Sequence, residues 1–280
     1  MKILLIDSSH LAHRLLHTTI SNSPDDNFDF VLWKSYFINN LFSTIKEFSP
    51  DRVIFAIDSS SWRKEVYPLY KSSRASKKNK SKINFERFYP IFEKLLEDFK
   101  KTFTSIITLK IDRCESDDII GHICNSDNFN ELVIISSDRD FHQCIKSNVK
   151  QYDPISKKFK EVLNPQRELE IKFITGDTND DIPNIKPKVG PVTALKLMYE
   201  GLDELLNSSE QIKKNYERNK ILIDFKNIPN DLKEKIMEVY NSFEKVDIDR
   251  SKLMNFFVKH RLAKVMESWN MFGDVVKGLK

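Results

Sequence analysis

The stretch CESDDII, residues 114–120, sets three carboxylates within four positions and then turns apolar. Glu115, Asp117 and Asp118 must repel one another: at an effective dielectric of about 20, unit charges about 4 Å apart interact by roughly 4 kcal/mol. Two arrangements relieve this. Acids are favoured in the first turn of a helix, where they meet the positive end of its dipole. Alternatively, the cluster holds cations. Three cysteines without CxxC spacing and a lone close histidine pair, His10 and His13, leave oxygen ligands only, which select Mg²⁺ with Mn²⁺ as its substitute.

The elements that must position these acids favour the second arrangement. Three hydrophobic runs end in an acid: ILLID at Asp7, VIFAID at Asp58 and LVIISSD at Asp138. Short, continuous, β-branched runs are the pattern of strands buried on both faces of a parallel sheet. A fourth run, SIITLKID, leads into the acidic stretch. Helical patterns over residues 9–20, 30–48, 85–101 and 116–125 alternate with them, so the expected fold class is α/β, a mainly parallel central sheet flanked by helices. Carboxyl ends of parallel strands lie along one edge, where ligands bind. Asp7, Asp58 and Asp138 should therefore meet the helix start at Glu115, and SSDRD adds Asp140. One strand ending in Asp is ordinary, because Asp suits turns and caps. Three beside ESDD point to metal-assisted chemistry at phosphate, in which two ions about 3.5 to 4 Å apart activate water and stabilise the leaving oxygen.

Charge is segregated in a way that matches. The net charge is only +4, yet residues 63–82 hold eight basic side chains (Arg63, Lys64, Lys71, Arg74, Lys77, Lys78, Lys80, Lys82) against one acid, Glu65. A basic segment beside acidic clusters suits a protein that grips a polyanion. Read as a helix, LYKSSR would turn Lys71 and Arg74 the same way, to hold the phosphate being cut, while Tyr70 stacks on a base; read as a loop, it is merely solvated. Residues 72–82 have the composition of a disordered segment.

Beyond Tyr152 a helix starts near Pro165, followed by GDTNDDIP and then VTALKLMY, whose first turn suits Pro191. Backbone N–H groups at that helix start, with Lys186 and Lys188 nearby, could seat a phosphate; the alternative reading is an ordinary helix-turn-helix corner. The expected organisation is an α/β core over residues 1–175, with the basic segment at 62–90, and a helical region over 176–280 whose apolar positions, Trp269 and Phe272 among them, are core. With 280 residues and 40% hydrophobic content the chain can bury a sizeable core. No apolar run approaches the ~20 residues of a membrane span, and MKILLIDSS is too short and too quickly acidic for a signal peptide; a soluble, cytoplasmic protein is expected.

The order of motifs, strand-Asp7, strand-Asp58, YPLYKSSR, ESDD, SSDRD, GDTNDDIP and VGPVTALKL, resembles the 5′ nuclease family of flap endonucleases and 5′→3′ exonucleases, which have a PIN-like fold. Size and layout look most like its phage ribonuclease H members, over Met1 to about Tyr199. The resemblance implies that Asp7, Asp58, Glu115, Asp117, Asp118 and Asp138 surround a first Mg²⁺ and Asp140, Asp177 and Asp180 a second, some through water. It places Tyr70, Lys71 and Arg74 in a helical arch that grips a 5′ single strand. It makes IKPKVGPVTA, with Lys186, Lys188, Gly190 and Thr193, the loop of a helix-three-turn-helix unit (about residues 177–200) that binds a duplex backbone. Three details depart from the family pattern: Pro187 and Pro191 intrude, Val192 stands where a lysine is common, and Asp181 where Asn is frequent. The implied substrates are DNA with 5′ flaps or ends and RNA–DNA hybrids, cut by a monomer in replication to leave a 5′-phosphate and a 3′-hydroxyl. A single-strand-binding protein and a sliding clamp are the candidate partners, with no N-terminal clamp-binding extension expected. Two rival readings are a catalytically silent nucleic-acid binder of the same fold and a PIN-type ribonuclease acting on RNA alone. The full set of acids argues against the first, and the basic segment with the GDTNDDIP-to-VGPVTA unit against the second.

Overall fold

In the computed structural model, residues 1–21, 29–74, 76, 83–126 and 129–279 are described. The chain begins with β1 (Lys2–Asp7), α1 (Ser8–Ser21), α2 (Phe30–Phe48), β2 (Arg52–Ile57) and one helical turn at Arg63–Val66. It continues through α3 (Phe85–Thr102), β3 (Ile107–Lys110), α4 (Ser116–Asn125), β4 (Glu131–Ile135) and a 3-10 helix at Arg139–Cys144. Then come β5 (Val149–Asp153), β6 (Lys158–Phe159), α5 (Pro165–Thr175) and a 3-10 turn at Thr178–Asp180. The remaining helices are α6 (Pro191–Tyr199), α7 (Leu202–Ser208), α8 (Glu210–Ile223), α9 (Asn230–Asn241), α10 (Arg250–His260) and α11 (Ala263–Lys277). Lys77, Lys78, Lys80 and Lys82, and with them most of the stretch read as disordered, lie outside the described residues.

The sheet order is β3-β2-β1-β4-β5-β6, with every pairing parallel except β5 to β6. The mainly parallel α/β sheet is therefore present, extended by two strands that the sequence reading did not anticipate. VKQYD carries too few apolar residues to announce a buried strand, and β6 is only two residues long.

Continuous apolar runs are needed because each central strand buries both faces. Leu4, Ile6, Val53, Phe55, Val133 and Ile135 point into one layer, packed with α1, α2 and α3. Ile3, Leu5, Ile54, Ala56, Leu132 and Ile134 point into the other, against α4 and α9. The first layer is aromatic: Phe37, Phe42, Phe55, Phe88 and Phe99 are fully buried, and Trp33 meets Phe88 edge-on with ring centroids 4.9 Å apart. The C-terminal helices fold back onto this layer through Phe256 against Phe103 (5.2 Å) and Trp269 against Phe42 (5.5 Å). The side chain of Phe272 is outside the described residues.

Register decides what the sheet presents at its edge. Asp7 lies opposite Ala56, and Ile6 opposite Ile135, so the ends of β1, β2 and β4 are level. The loops that carry Asp58 and Asp138 consequently leave the sheet beside Asp7. Among the described residues no helix is long and apolar enough to cross a membrane, and Cys114, Cys124 and Cys144 are free, buried thiols.

Candidate active site

A cavity of about 780 Å³ opens at that edge, lined by Asp7, Asp58, Glu115, Asp117 and Asp138 and by Lys71 and Arg74. Five strand-end and helix-start acids that the sequence analysis singled out thus face one space. A smaller adjoining cleft is lined by Asp140, Asp177 and Asp180, and it shares Glu115 and Asp117 with the larger one.

Helix α4 ties the first group together. Glu115 is its N-cap and Asp118 its third residue, forming a capping box in which the Glu115 amide donates to Asp118 Oδ2 at 3.0 Å. Ser116, in the first turn, donates its amide to Asp58 Oδ1 (2.7 Å) and its hydroxyl to Asp7 Oδ1 (3.0 Å), so the helix start pins two strand-end carboxylates. The His10 amide adds a second bond to Asp7, again at 3.0 Å. Both readings of CESDDII hold at once: it is a capped helix start, and it faces the acids.

Asp138 is set by residues the sequence analysis did not weigh. Gln151, fully buried in β5, donates its Nε2 to the carbonyls of Ser136 (2.8 Å) and Asp138 (2.7 Å), pulling the loop after β4 over the sheet end. The Asp138 side chain accepts from the Asp140 amide at 2.9 Å and starts the 3-10 helix, which turns Asp140 toward the smaller cleft. The only signal in the sequence was a Gln at an inward position of a weak strand.

Cations divide the acids into two sets. Lys71 Nζ lies 2.5 Å from Glu115 Oε1 and 3.5 Å from Asp180 Oδ2, and Arg74 pairs with Asp180 at 2.7 Å. Lys172 on α5 bridges Asp140 and Asp177. Arg63 pairs with Glu115 (3.3 Å) and Asp118 (2.8 Å). Among the described residues, Asp7, Asp58, Asp117 and Asp138 make no ion pair with any lysine or arginine.

Protonation follows this partition. Burial, then the neighbouring Asp58 and Asp138 charges, raise the Asp7 carboxyl to about 7 against the bonds from His10 and Ser116. Asp117 is raised well above the carboxylate range by burial and by Asp7 and Asp138, and Asp138 is raised by burial and Asp140. Glu115 goes the other way: burial opposes its charge, but Lys71 and Arg63 hold it down to about 2.

Several expected site residues sit differently from the sequence reading. Asp118 is fully buried and turned away from the cavity, because the capping bond and Arg63 occupy its oxygens. Tyr70 is only 3% exposed and is not available to stack on a base. Its hydroxyl lies 2.9 Å from Glu115 Oε2 and 3.0 Å from Asp180 Oδ2, since a phenol beside two carboxylates is better satisfied inside. Lys71 has a left-handed φ of 54° in a turn rather than a helix, held as its amide donates to the Asp180 carbonyl at 2.9 Å. Gly190, Lys188 and Thr193 are exposed at the start of α6, and Lys186 is half-buried. Gly190 caps α6 with φ −95°, and a Cβ there would meet nothing within 4 Å.

Whether divalent ions fit is answered by the donors. Four carboxylates without an ion-paired lysine or arginine among the described residues, three of them driven toward protonation by burial and their neighbours, form a site short of positive charge, and all-oxygen donors suit Mg²⁺. Among the described residues no three Asp, Glu, His or Cys side chains already close into a coordination shell. The structure therefore shows an anionic cavity, with Glu115, Asp140, Asp177 and Asp180 drawn toward lysine and arginine.

Known proteins match this arrangement along the chain. Residues 2–173 match the family described as 5′–3′ exonuclease, N-terminal resolvase-like domain, and residues 164–272 match T4 RNase H, C terminal. Ribonuclease H of Enterobacteria phage T4 is 28% identical over 96% of this chain and 95% of its own length. A 5′–3′ exonuclease of Buchnera aphidicola is 26% identical over 75% of each chain. DNA polymerase I of Rhizobium leguminosarum is 30% identical over 64% of this chain, which corresponds to 18% of the polymerase. The fold is that of phage T5 5′-exonuclease, solved with divalent zinc ions: the TM-score is 0.68 at 18% identity, covering 87% of this chain and 100% of that one. A T5 flap endonuclease solved with DNA and metal ions gives 0.66 at 20% identity, covering 86% and 100%. With the strand-end acids, the basic turn and both family segments in place, the chain belongs to the 5′–3′ exonuclease family of nucleases.

Proposed function

We propose that this protein is a Mg²⁺-dependent, structure-sensing 5′ nuclease that removes RNA primers and short 5′ flaps from duplex DNA in replication. The observation that carries this reading is the cavity of about 780 Å³ in which four unpaired carboxylates, Asp7, Asp58, Asp117 and Asp138, face the cations Lys71 and Arg74. Acids and cations lining one cavity suit a phosphodiester that bridges them.

In this reading Asp7, Asp58, Asp117 and Asp138, with Glu115, hold the first divalent ion, and Asp140, Asp177 and Asp180 serve the second. The ions supply Lewis-acid stabilisation of the phosphate and a more acidic water. The protein's own residues do the positioning. Ser116 and the His10 amide fix Asp7, Gln151 fixes the Asp138 loop, and Lys71 and Arg74 exchange carboxylate for the scissile phosphate. Arg offers that phosphate a fork of donors and Lys a mobile charge. The α6 start, with Gly190, Thr193, Lys186 and Lys188, takes the duplex backbone, where exposed amides and the helix dipole favour an anion. Hydrolysis leaves a 5′-phosphate and a 3′-hydroxyl. A monomer suffices for these steps, and a single-strand-binding protein and a sliding clamp are the partners to test in a replication assay.

A panel of 5′-labelled substrates, with and without Mg²⁺ at low salt, tests the reading. Short 5′ fragments should be released from RNA-primed and flapped duplexes only with the metal. No cleavage of either overturns it, and cleavage of free RNA alone would replace it with a single-strand ribonuclease.

A further inference from the structure

Arg63 belongs by sequence to the basic segment, yet only 3% of its surface is exposed. Its guanidinium is engaged on every side. Nη1 lies 3.3 Å from Glu115 Oε2, Nη2 lies 2.8 Å from Asp118 Oδ1, and Nε donates to the Leu222 carbonyl at 2.7 Å. The group also sits 4.8 Å from the centre of the Trp62 ring and 5.7 Å from that of Tyr70. Leu222 is in the last turn of α8, where carbonyls lack an intrahelical partner and a cation meets the negative end of the dipole. One fork therefore joins three pieces of the chain: the root of the basic segment, the start of α4 and the end of α8.

Balancing the buried Asp118 would require only one positive charge. The remaining reach of Arg63 goes to Glu115, whose other ionic partner is Lys71 and whose Oε2 also accepts from the Ser61 and Tyr70 hydroxyls, both at 2.9 Å. Lys71 hangs from a turn and lines the cavity, with 11% of its side chain exposed, whereas Arg63 is enclosed. If Lys71 moves to phosphate, Glu115 keeps one cation.

We propose that Arg63 is a positioning residue for the nuclease reaction: it anchors the Glu115 carboxylate to α8 and holds it at the cavity when Lys71 leaves for the scissile phosphate. This rests on the nuclease reading above. Losing a group that orients a metal-binding carboxylate through a further bond typically costs about 10- to 100-fold in metal affinity or activity.

Arg63→Met alone strands Asp118 without its cation and destabilises the fold. The informative variant is Arg63→Met with Asp118→Asn, which removes the stranded charge while an asparagine oxygen still accepts from the Glu115 amide. Melting temperature, affinity for a 5′-flap duplex in Ca²⁺ and single-turnover cleavage in Mg²⁺ are measured side by side. The double variant should melt close to wild type and bind within about threefold, but cleave about 100-fold more slowly, the scale of a misplacement of about 1 Å. Arg63→Lys, which keeps a charge for Asp118 but cannot make the fork, should fold and cleave about tenfold more slowly. Wild-type turnover in either variant shows that Arg63 serves only to neutralise Asp118 and overturns the proposal. Wild-type protein that cleaves none of the substrates overturns the nuclease reading, and the role of Arg63 falls with it.

Discussion

The two halves of the acidic cluster are built on opposite electrostatic terms. Around Asp7, Asp58, Asp117 and Asp138 the described residues supply backbone amides and hydroxyls but no ion-paired cation, and burial with mutual repulsion drives Asp7, Asp117 and Asp138 toward protonation against the more distant Lys71 and Lys172. Around Glu115, Asp140, Asp177 and Asp180 they supply Arg63, Lys71, Arg74 and Lys172. The first half is left with mutual repulsion, and in the second each carboxylate has at least one cation within 4 Å. The paired cations are not equivalent either: Arg63 is enclosed away from the larger cavity, while Lys71 and Arg74 line it. The cluster is thus divided, among the described residues, between carboxylates that meet no lysine or arginine and carboxylates that each meet at least one.

The largest expected effect comes from the unpaired half. Asp138→Asn should lower cleavage on the order of 10³-fold or more while leaving substrate binding within a few-fold, because one charge-stabilising group lost from a preorganised site costs that much. A near-normal rate would remove Asp138 from the metal-binding set. In the paired half, Lys71→Met should weaken nucleic-acid binding about tenfold and, without nucleic acid, tighten Mn²⁺ binding by calorimetry, since the competing ammonium is gone. Unchanged or weaker Mn²⁺ binding would erase the distinction between the halves.

The pH dependence of stability sharpens the same contrast. In the native protein without divalent ions Asp7 keeps its proton up to about 7, whereas the unfolded chain releases it near 3.8. The folded state therefore binds more protons between those values, and Asp7 lowers stability as pH rises through that window. Glu115, held down to about 2 from 4.5, has the opposite sign: its contribution is full above about 4.5 and is lost as pH falls through 2. With a chelator, the melting temperature of wild type should drop more from pH 4 to pH 7 than that of Asp7→Asn, and saturating Mg²⁺ should remove the difference. Equal slopes would show that Asp7 does not carry the repulsion.

The smallest effect is expected far from the cluster. Gly190→Ala meets open space at an ordinary φ, so thermal stability should change by no more than about 0.5 to 1 kcal/mol, while duplex affinity falls if the α6 start approaches a phosphate backbone. Gly176→Ala is its counterpart. There φ is +67° and a Cβ would lie 2.2 Å from the Ile182 carbonyl, so the fold itself should suffer.

Much of the architecture was legible because local chemistry and global position agree. Runs such as ILLID and VIFAID are too short for buried helices and read as strands buried on both sides, and the parallel sheet then gathers the acids at their carboxyl ends. The acidic helix start and SSDRD added Glu115, Asp117 and Asp140, and the resemblance of motif order extended the set to Asp177 and Asp180. Arg63 was not legible, since an arginine in a run of basic residues reads as surface until its partners are known. Gln151 hid in a strand too polar to recognise. Tyr70 was read as outward-facing because nothing local shows that two carboxylates await its hydroxyl.

What the sequence determined by itself was therefore the inventory and the edge: which acids exist, and that strand direction gathers them at one end of a sheet. Only the tertiary structure decided the charge balance among them. Which carboxylate meets an arginine and which meets only another carboxylate depends on residues 52 to 159 positions apart, such as Arg63 with Glu115 and with Leu222. Coulombic and desolvation energies depend on distance and burial, and neither is written in the order of residues.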